Sequence, residues 1–364
     1  MKLEKPSLFY AVLLLVHLLF FLSSVIRPPV SLSDSHDYLN ASSNLYRHGV
    51  LYSGDLAEPI REEQFTRRPP LYPVFLGIGE LTGSVIPVFL LQIALSLCSI
   101  FLLMRIFSSK DPDPDPGFRV APGLLVLIFL VATPAQFIYA NRIMAEVPFQ
   151  LLLVLAAWSV AMYFKDREDR YIWLFNLFIT LGMATKPVLF PFAILTVLIS
   201  VYLFLRTRRR TFLLAITIPV IWITGYSAWN YQRVGSAQYS SIQTANMVNY
   251  NLRYFVMSQQ GADAASEKVD DLYATCGAES SYKEKNECLD RGVRKIILDS
   301  LIRYAFFHLK GSARYFLDPG RFDLVTFFNI REPDNPGFLN GLNQDGVSGA
   351  IRFLKNQGWG LVIL

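Results

Sequence analysis

The chain has 364 residues, of which 52% are hydrophobic and 17% are charged, and its formal net charge is +5. Soluble domains carry about 25% charged residues, and here the deficit comes from long apolar blocks separated by charged segments. A nucleic-acid-binding protein clusters its bases on one soluble face, so this pattern argues against that class and predicts a polytopic membrane protein.

Seven apolar segments approach the length that crosses the hydrocarbon core of a bilayer. They are Leu8–Ile26, Ser84–Phe107, Val120–Tyr139, Val147–Phe164, Tyr171–Thr185, Pro187–Leu205 and Thr211–Ala228. No small-residue cleavage site follows the first segment, so we expect a retained helix in preference to a cleaved signal peptide. Pro187 predicts two helices joined by a turn, because proline interrupts helical hydrogen bonding.

The placement of lysine and arginine between these segments predicts a cytoplasmic N-terminus. Four basic groups then face the cytoplasm: Lys2 and Lys5; Arg105, Lys110 and Arg119; Lys165, Arg167 and Arg170; and Arg206 with Arg208, Arg209 and Arg210. The short outer turns each keep one base, Arg142 or Lys186. The first outer loop, residues 27–83, is basic too, and it also carries seven acidic residues.

The chain is expected to form two regions. Residues 1–228 form a transmembrane domain of about seven helices, and residues 229–364 form a mostly extracytoplasmic region with helix-like stretches such as Val293–Leu309. Alternating prolines in Asp111–Pro116 predict a hydrated linker. The apolar end, Trp359–Leu364, predicts the start of a further helix, and hence a chain that continues in a longer protein.

Two carboxylates, Asp34 and Asp37, follow the first span directly. Three residues apart, they would share one face of a helix, and a carboxylate at a membrane interface can act as a general base. The spacing alone favours the alternative, in which Ser33 or Asp34 caps a helix that runs through Asn44.

Charged residues at three further points face the same predicted side of the membrane. Arg67 and Arg68 could bind a phosphate bidentately or contact lipid headgroups. Glu146 begins a span, where a carboxylate suits the helix N-terminus, or it is a second acid of an outer site. Lys186 lies at the tip of two helices, where it snorkels or binds phosphate.

The order of these motifs resembles the GT-C glycosyltransferases, in the branch of the protein O-mannosyltransferases and the bacterial aminoarabinose transferase of lipid A. The matching segments are Asp34-Ser35-His36-Asp37-Tyr38, Arg68-Pro69-Pro70-Leu71-Tyr72-Pro73, Met144-Ala145-Glu146-Val147-Pro148-Phe149 and Thr185-Lys186-Pro187, within residues 8–250. The resemblance implies an all-α polytopic membrane fold, with a GT-C-like helical transmembrane domain, an extended first outer loop and a small outer C-terminal region.

The resemblance also implies a function: inverting transfer of a sugar from a polyprenyl-phosphate donor to an extracytoplasmic acceptor, at the outer face of a bacterial cytoplasmic membrane. Asp34 would be the catalytic base, with Asp37 and Glu146 as further catalytic acids. Substrate-binding roles would fall to Tyr38, Arg67, Arg68, Tyr72, Arg142 and Lys186. Arg67 stands where some members have a carboxylate, so the sequence does not support a divalent cation, and no cofactor is expected.

Two other classes stay open. A transporter or flippase predicts internal repeats and ionisable residues at mid-membrane depth, and a non-catalytic subunit of an envelope complex needs none of the acids. Four histidines without metal-ligand spacing argue against a zinc hydrolase. Cys276 and Cys288 enclose a short polar loop, where a disulfide is favoured over two free thiols.

Overall fold

The computed structural model describes residues 6–107, 134–317 and 320–330, together with Val126, Leu130, Ser348 and Ile351. These residues are mostly helical and include no strand. The helices are α1 (Pro6–Ile26), α2 (Ser33–His48), α3 (Leu71–Thr82), α4 (Ile86–Phe107), α5 (Ala135–Tyr139), α6 (Glu146–Asp166), α7 (Arg170–Thr185), α8 (Phe192–Thr207), α9 (Thr211–Ala215), α10 (Thr217–Val234), α11 (Ser241–Asn246), α12 (Arg253–Gln260), α13 (Ala262–Gly277), α14 (Tyr282–Leu298), α15 (Leu301–Leu317) and α16 (Arg321–Phe328). A π-helical segment, Met247–Leu252, joins α11 to α12.

Four helical segments in the described part of the chain are long and apolar enough to cross a membrane: Leu8–Ile26, Ile86–Ile106, Glu146–Asp166 and Thr211–Val234. They indicate a membrane protein. At 16 residues each, α7 and α8 extend about 24 Å, which is short of a bilayer core of about 30 Å. The predicted span Val120–Tyr139 falls largely outside the described residues, as do Asp111–Pro116 and Trp359–Leu364.

Two predicted boundaries differ from the structure. α10 continues to Val234, beyond the polar boundary predicted at residue 228, and ends at Gly235, whose φ of +67° suits glycine. The helix predicted at Val293–Leu309 is interrupted, because α14 ends at Leu298 and α15 begins at Leu301. The predicted break at Pro187 is confirmed: α7 ends at Thr185 and a short 3₁₀ turn follows.

The chain divides into two compact units. The first comprises Met1–Ser35, Ser84–Leu151 and Gly311–Leu364. Within it, α1 packs against α4 and α5, and α16 packs against α1 and α5. Its apolar core includes Phe9, Leu13, Ile100 and Phe137.

A buried polar cluster joins three helices of this first unit. His17 lies in the middle of α1, fully buried, with its Nε2 atom 3.0 Å from the Ser96 hydroxyl of α4. Gln136 of α5 donates to the same hydroxyl over 2.6 Å. The sequence analysis overlooked this ionisable residue inside a span. Hydrogen bonds of this kind hold spanning helices together, because lipid offers polar groups no other partner.

The second unit comprises His36–Gly83 and Leu152–Lys310. Within this unit, α7 packs against α3, α8 and α10. A second core lies in residues 241–310, which we call the helical subdomain. Buried residues recur there one turn apart on successive helices, as amphipathic helices require: Val248, Leu252, Val256, Ala265, Val269, Cys276, Leu289, Val293 and Ile297.

A disulfide links two helices of the subdomain. Cys276 of α13 is bonded to Cys288 of α14, with 5.6 Å between the Cα atoms. This is the pairing that the sequence analysis favoured over free thiols. α14 begins with a capping box, in which Ser281 accepts a hydrogen bond from the Glu284 amide and donates one to the Glu284 carboxylate. The capped start and the disulfide both restrict how α14 can move.

Candidate functional site

The helix that follows the first span carries both predicted acids. α2 begins at Ser33, so Asp34 lies in its first turn and Asp37 lies one turn later on the same face. Ser33 and Asp34 therefore do start a helix, as expected, and the helix runs past Asn44 to His48. A carboxylate in the first turn interacts favourably with the helix dipole.

Asp37 is held by both predicted phosphate-binding arginines. Its Oδ2 atom accepts from Arg67 Nε over 2.6 Å and from Arg68 Nη2 over 2.8 Å. The Arg68 side chain is 6% exposed, whereas that of Arg67 is 26% exposed. One carboxylate therefore accepts from both guanidinium groups and positions the arginine pair. The catalytic role of Asp37 stays a prediction.

Two tyrosines lie beneath Arg68. The Arg68 guanidinium carbon is 4.7 Å from the centroid of the Tyr38 ring, a cation–π distance. The Tyr72 ring meets Tyr38 edge-on at 4.7 Å. Both tyrosines are buried, and their substrate-binding role stays a prediction. The Tyr38 ring contacts the Arg68 guanidinium, and Tyr72 packs against the Tyr38 ring.

The first loop is folded back onto α2 by buried hydrogen bonds. Asn44 donates to the carbonyl oxygens of Tyr52 and Gly54, over 2.8 and 3.0 Å. The Tyr52 hydroxyl accepts from the Arg61 amide over 3.1 Å, and the Ser53 amide donates to the Gln64 carbonyl. These contacts order the chain that leads to Arg67, so the arginine pair does not depend on a flexible loop.

The segment after α10 supports the backbone of the arginine pair. The Ser240 hydroxyl donates to the Arg67 carbonyl over 3.0 Å, and the Ser241 amide donates to the Thr66 carbonyl over 3.3 Å. Asn230, near the end of α10, holds the same segment by donating to the Gln238 and Tyr239 carbonyls. A helix end, a connecting segment and the arginine pair thus form one hydrogen-bonded assembly.

Lys186 belongs to a turn that meets this assembly. Its amide donates to the Gly182 carbonyl over 2.8 Å, which closes the end of α7, and its side chain is half-buried. Phe190, on the same turn, packs its ring against Tyr239 with 5.0 Å between centroids. The residue after Tyr239 is Ser240, which bonds to Arg67. The structure therefore places the Lys186 turn beside the segment that holds the arginine pair.

A cavity of about 660 Å³ borders the segment that follows α10. Its walls come from the end of α10, residues 235–247 and α14, and they include Tyr231, Gln238, Gln243 and Asn286. Gln238 donates to the Thr244 hydroxyl and accepts from Asn286. The charged groups at its rim pair with one another, Lys283 with Glu287 and Arg294 with Asp290. Such a surface suits an uncharged ligand with many hydroxyl groups.

Arg142 belongs to a different cluster, within the first unit. It is 2% exposed, donates to the Thr326 hydroxyl over 2.7 Å and lies 4.0 Å from Asp323. Tyr139 donates to the same Asp323 carboxylate over 3.0 Å. Burial lowers the pKa of the Arg142 guanidinium, and the Asp323 charge opposes that effect. The Arg142 guanidinium is thus enclosed and bonded to α16, and its substrate-binding role stays a prediction.

Glu146 begins α6, as the sequence predicted for a carboxylate at a helix N-terminus. The Glu146 carboxylate interacts electrostatically with Tyr139, so Glu146 lies near the Arg142 cluster. Asp323 was missed by sequence reasoning. It lies 184 residues from its partner Tyr139, in a segment without a recognisable motif, so no spacing in the sequence signals the pairing.

No group of three or more His, Cys, Asp or Glu side chains in the described part of the chain could hold a metal ion. Comparisons with known protein families, with curated proteins and with solved structures found no match to this chain. A functional assignment therefore has to come from the site itself.

Proposed function

We propose that this chain is a membrane glycosyltransferase. It moves a sugar from a polyprenyl-phosphate donor to an extracytoplasmic acceptor, with inversion, at the outer face of a bacterial cytoplasmic membrane. The proposal draws on the resemblance to the GT-C enzymes and rests on one structural observation. That observation is the arginine pair, Arg67 and Arg68, which are both bonded to Asp37, one helical turn from the second carboxylate, Asp34.

The charge of the arginine pair matches the donor. A polyprenyl-phosphate sugar is a phosphodiester with one negative charge, and the guanidinium groups of Arg67 and Arg68 are suited to bind phosphate oxygens. Arg68 is anchored by Asp37 and the Tyr38 ring, whereas the more exposed Arg67 is better placed to reach a ligand. Fixed cations of this kind stabilise a leaving phosphate without reorganising during the reaction. Lys186 is the further cation that the departing monoester needs.

Asp34 is the proposed general base. Both guanidinium groups of the pair donate to the Asp37 carboxylate, so Asp37 is assigned to positioning the arginines. In the reaction, the acceptor oxygen or nitrogen forms a bond to the anomeric carbon as its proton passes to Asp34. The bond from that carbon to the phosphate oxygen breaks, and the electron pair leaves with the lipid phosphate.

The neutral cavity is the proposed acceptor site. Amide side chains such as Gln243 and Asn286 can both donate to and accept from sugar hydroxyls, and the exposed ring of Tyr231 offers an apolar face. Ser240 and Ser241 bind the backbone beside Arg67, so the cavity wall and the donor cations are parts of one assembly.

The proposal is tested with purified protein and a panel of radiolabelled polyprenyl-phosphate sugars, scored for transfer and for release of free sugar. The decisive variant is Arg67→Ala, with Arg47→Ala as its matched control. Arg47 also pairs with a carboxylate of this unit, Glu80, but its side chain is 68% exposed. We expect Arg67→Ala to weaken donor binding at least tenfold and Arg47→Ala to leave it unchanged.

Two results contradict the proposal. The first is the absence of turnover with every donor while the protein carries intact lipid-linked sugars across a bilayer, which would indicate a transporter. The second is equal donor binding by wild type and Arg67→Ala, which would show that Arg67 does not bind the donor phosphate. A non-catalytic subunit would show neither activity and would tolerate substitution of Asp34.

A further inference from the structure

The first half of α15, Leu301–Lys310, presents large apolar side chains to its surroundings. Ile302 is 74% exposed, and Phe306 and Leu309 are each 67% exposed. Spaced four and three residues apart, they form one continuous stripe along the helix. Leu298, at the end of α14, is exposed to a similar extent. An apolar surface of this kind marks an interaction site.

The opposite side of α15 is already occupied by the helical subdomain. Tyr304 and Phe307 pack their rings against Phe255 of α12, at 5.3 and 5.8 Å between centroids. Tyr304 also packs against the apolar core of the subdomain, which includes Cys276 of the disulfide. The exposed stripe is therefore not the side of α15 that packs into the subdomain, because Tyr304 and Phe307 on the opposite side make those contacts.

Basic side chains border the stripe. Arg303 and Lys310 are exposed and lie about 100° round the helix from Ile302 and Leu309, and Leu301–Lys310 includes no acidic residue. Long basic side chains beside an apolar face keep their stems in the apolar layer and extend their charges to phosphate groups. Apolar residues on one face and bases at its edge are the signature of a helix lying in a membrane interface.

We propose that Leu301–Lys310 lies along the bilayer surface, with Ile302, Phe306 and Leu309 in the outer acyl region and with Arg303 and Lys310 at the lipid phosphates. A bilayer is the occupant that the structure favours, because the same unit includes the apolar segment Thr211–Val234, which is long enough to span one. The helical subdomain is then fastened to the membrane at α15 as well as at α10. This inference does not depend on the enzymatic proposal.

The experiment uses full-length protein in vesicles of phosphatidylethanolamine and phosphatidylglycerol, without reductant, so that the Cys276–Cys288 disulfide stays closed. In a Cys98→Ala background, single cysteines replace Ile302, Phe306 and Leu309 and carry a nitroxide label. Collision of each label with oxygen, which concentrates in lipid, and with a water-soluble nickel chelate is measured by electron paramagnetic resonance.

Two positions calibrate the measurement: Ile221→Cys, exposed on the spanning helix α10, and Asp270→Cys, exposed on α13 of the subdomain. We expect the three α15 labels to favour oxygen over nickel several-fold, as at Ile221, but at a shallower depth. Labels that favour nickel, as at Asp270, place the stripe in water and overturn the proposal. Labels shielded from both reagents indicate a protein partner, which also overturns it.

Discussion

Arg68 donates to Asp37 from a nearly buried position, with 2.8 Å between Nη2 and Oδ2, and the same oxygen accepts from Arg67. One carboxylate therefore orients two guanidinium groups. Arg68 is held on its other face by the Tyr38 ring, so its geometry is determined before any ligand arrives. This preorganisation distinguishes the pair from the surface arginines of the same unit and predicts different consequences of substitution.

Asp37→Asn is expected to destabilise the protein by about 2–4 kcal/mol, because it keeps the side-chain shape but removes the charge that two guanidinium groups share, one of them on the buried Arg68. The measurement is the unfolding midpoint in detergent. Glu80→Gln is the control, since its partner Arg47 is 68% exposed, and a pair with one partner in solvent is expected to be worth less than about 1 kcal/mol. Equal shifts for the two variants would show that the Asp37 pair is a surface interaction.

Arg142→Ala is expected to reduce stability by about 3 kcal/mol and to leave the KM for the donor unchanged in the protein that remains folded. Removing the guanidinium strips Asp323 and Thr326 of a buried partner but touches no ligand. Arg105→Ala, an exposed arginine of the same unit, serves as the control. A raised KM with an unchanged unfolding midpoint would support the substrate-binding role that the sequence predicted.

Cys276→Ser with Cys288→Ser is expected to destabilise the helical subdomain by about 3 kcal/mol, through the greater freedom of its unfolded state. Hydrogen exchange should accelerate at amides of the subdomain core, such as those of Val269 and Val293, and stay unchanged in α7. Reductant should reproduce the effect in wild type, whereas Cys98→Ser should have none. Uniform acceleration over the whole chain would mean that the subdomain does not open on its own.

Gly77→Ala is expected to destabilise the protein by about 1–2 kcal/mol. A Cβ atom at this position overlaps the Tyr46 ring, so the ring must swing away and lose its 3.0 Å hydrogen bond to the Val74 carbonyl. Gly225→Ala is the matched control: no atom lies within 4 Å of its Cβ position, and alanine favours a helix by about 1 kcal/mol. If both variants were stabilised, α2 and α3 would not pack as described.

Local patterns predicted much of the helical structure. Apolar runs located α1, α4 and α6 to within two residues at each end, and Pro187 located the end of α7. The helix continues six residues past the apolar segment that was predicted to end at Ala228, because the polar residues in Trp229–Val234 can lie on a helix and composition alone does not end one. Gly235, with its positive φ, is the residue that ends α10.

The sequence predicted which residues form the candidate site, but not which of them contact each other. The sequence indicated acids and arginines at suitable positions, but Asp37 and Arg68 pair across 31 residues, and Arg142 pairs with a helix 184 residues away. Such pairings depend on tertiary packing, and no spacing rule signals them. The burial of Tyr38 and Tyr72 was unpredictable for the same reason, since a tyrosine suits a ligand site and a core equally well.

Comparison of Asp34→Asn with Asp37→Asn in a donor-turnover assay tests the central claim most directly. Asp34→Asn should lower kcat by about 10²–10⁴-fold, with unchanged donor affinity and an unchanged unfolding midpoint, as expected for loss of a general base. Asp37→Asn should instead lower the midpoint and weaken donor binding. Near-normal turnover by Asp34→Asn would contradict the account, because no proton acceptor would then be assigned.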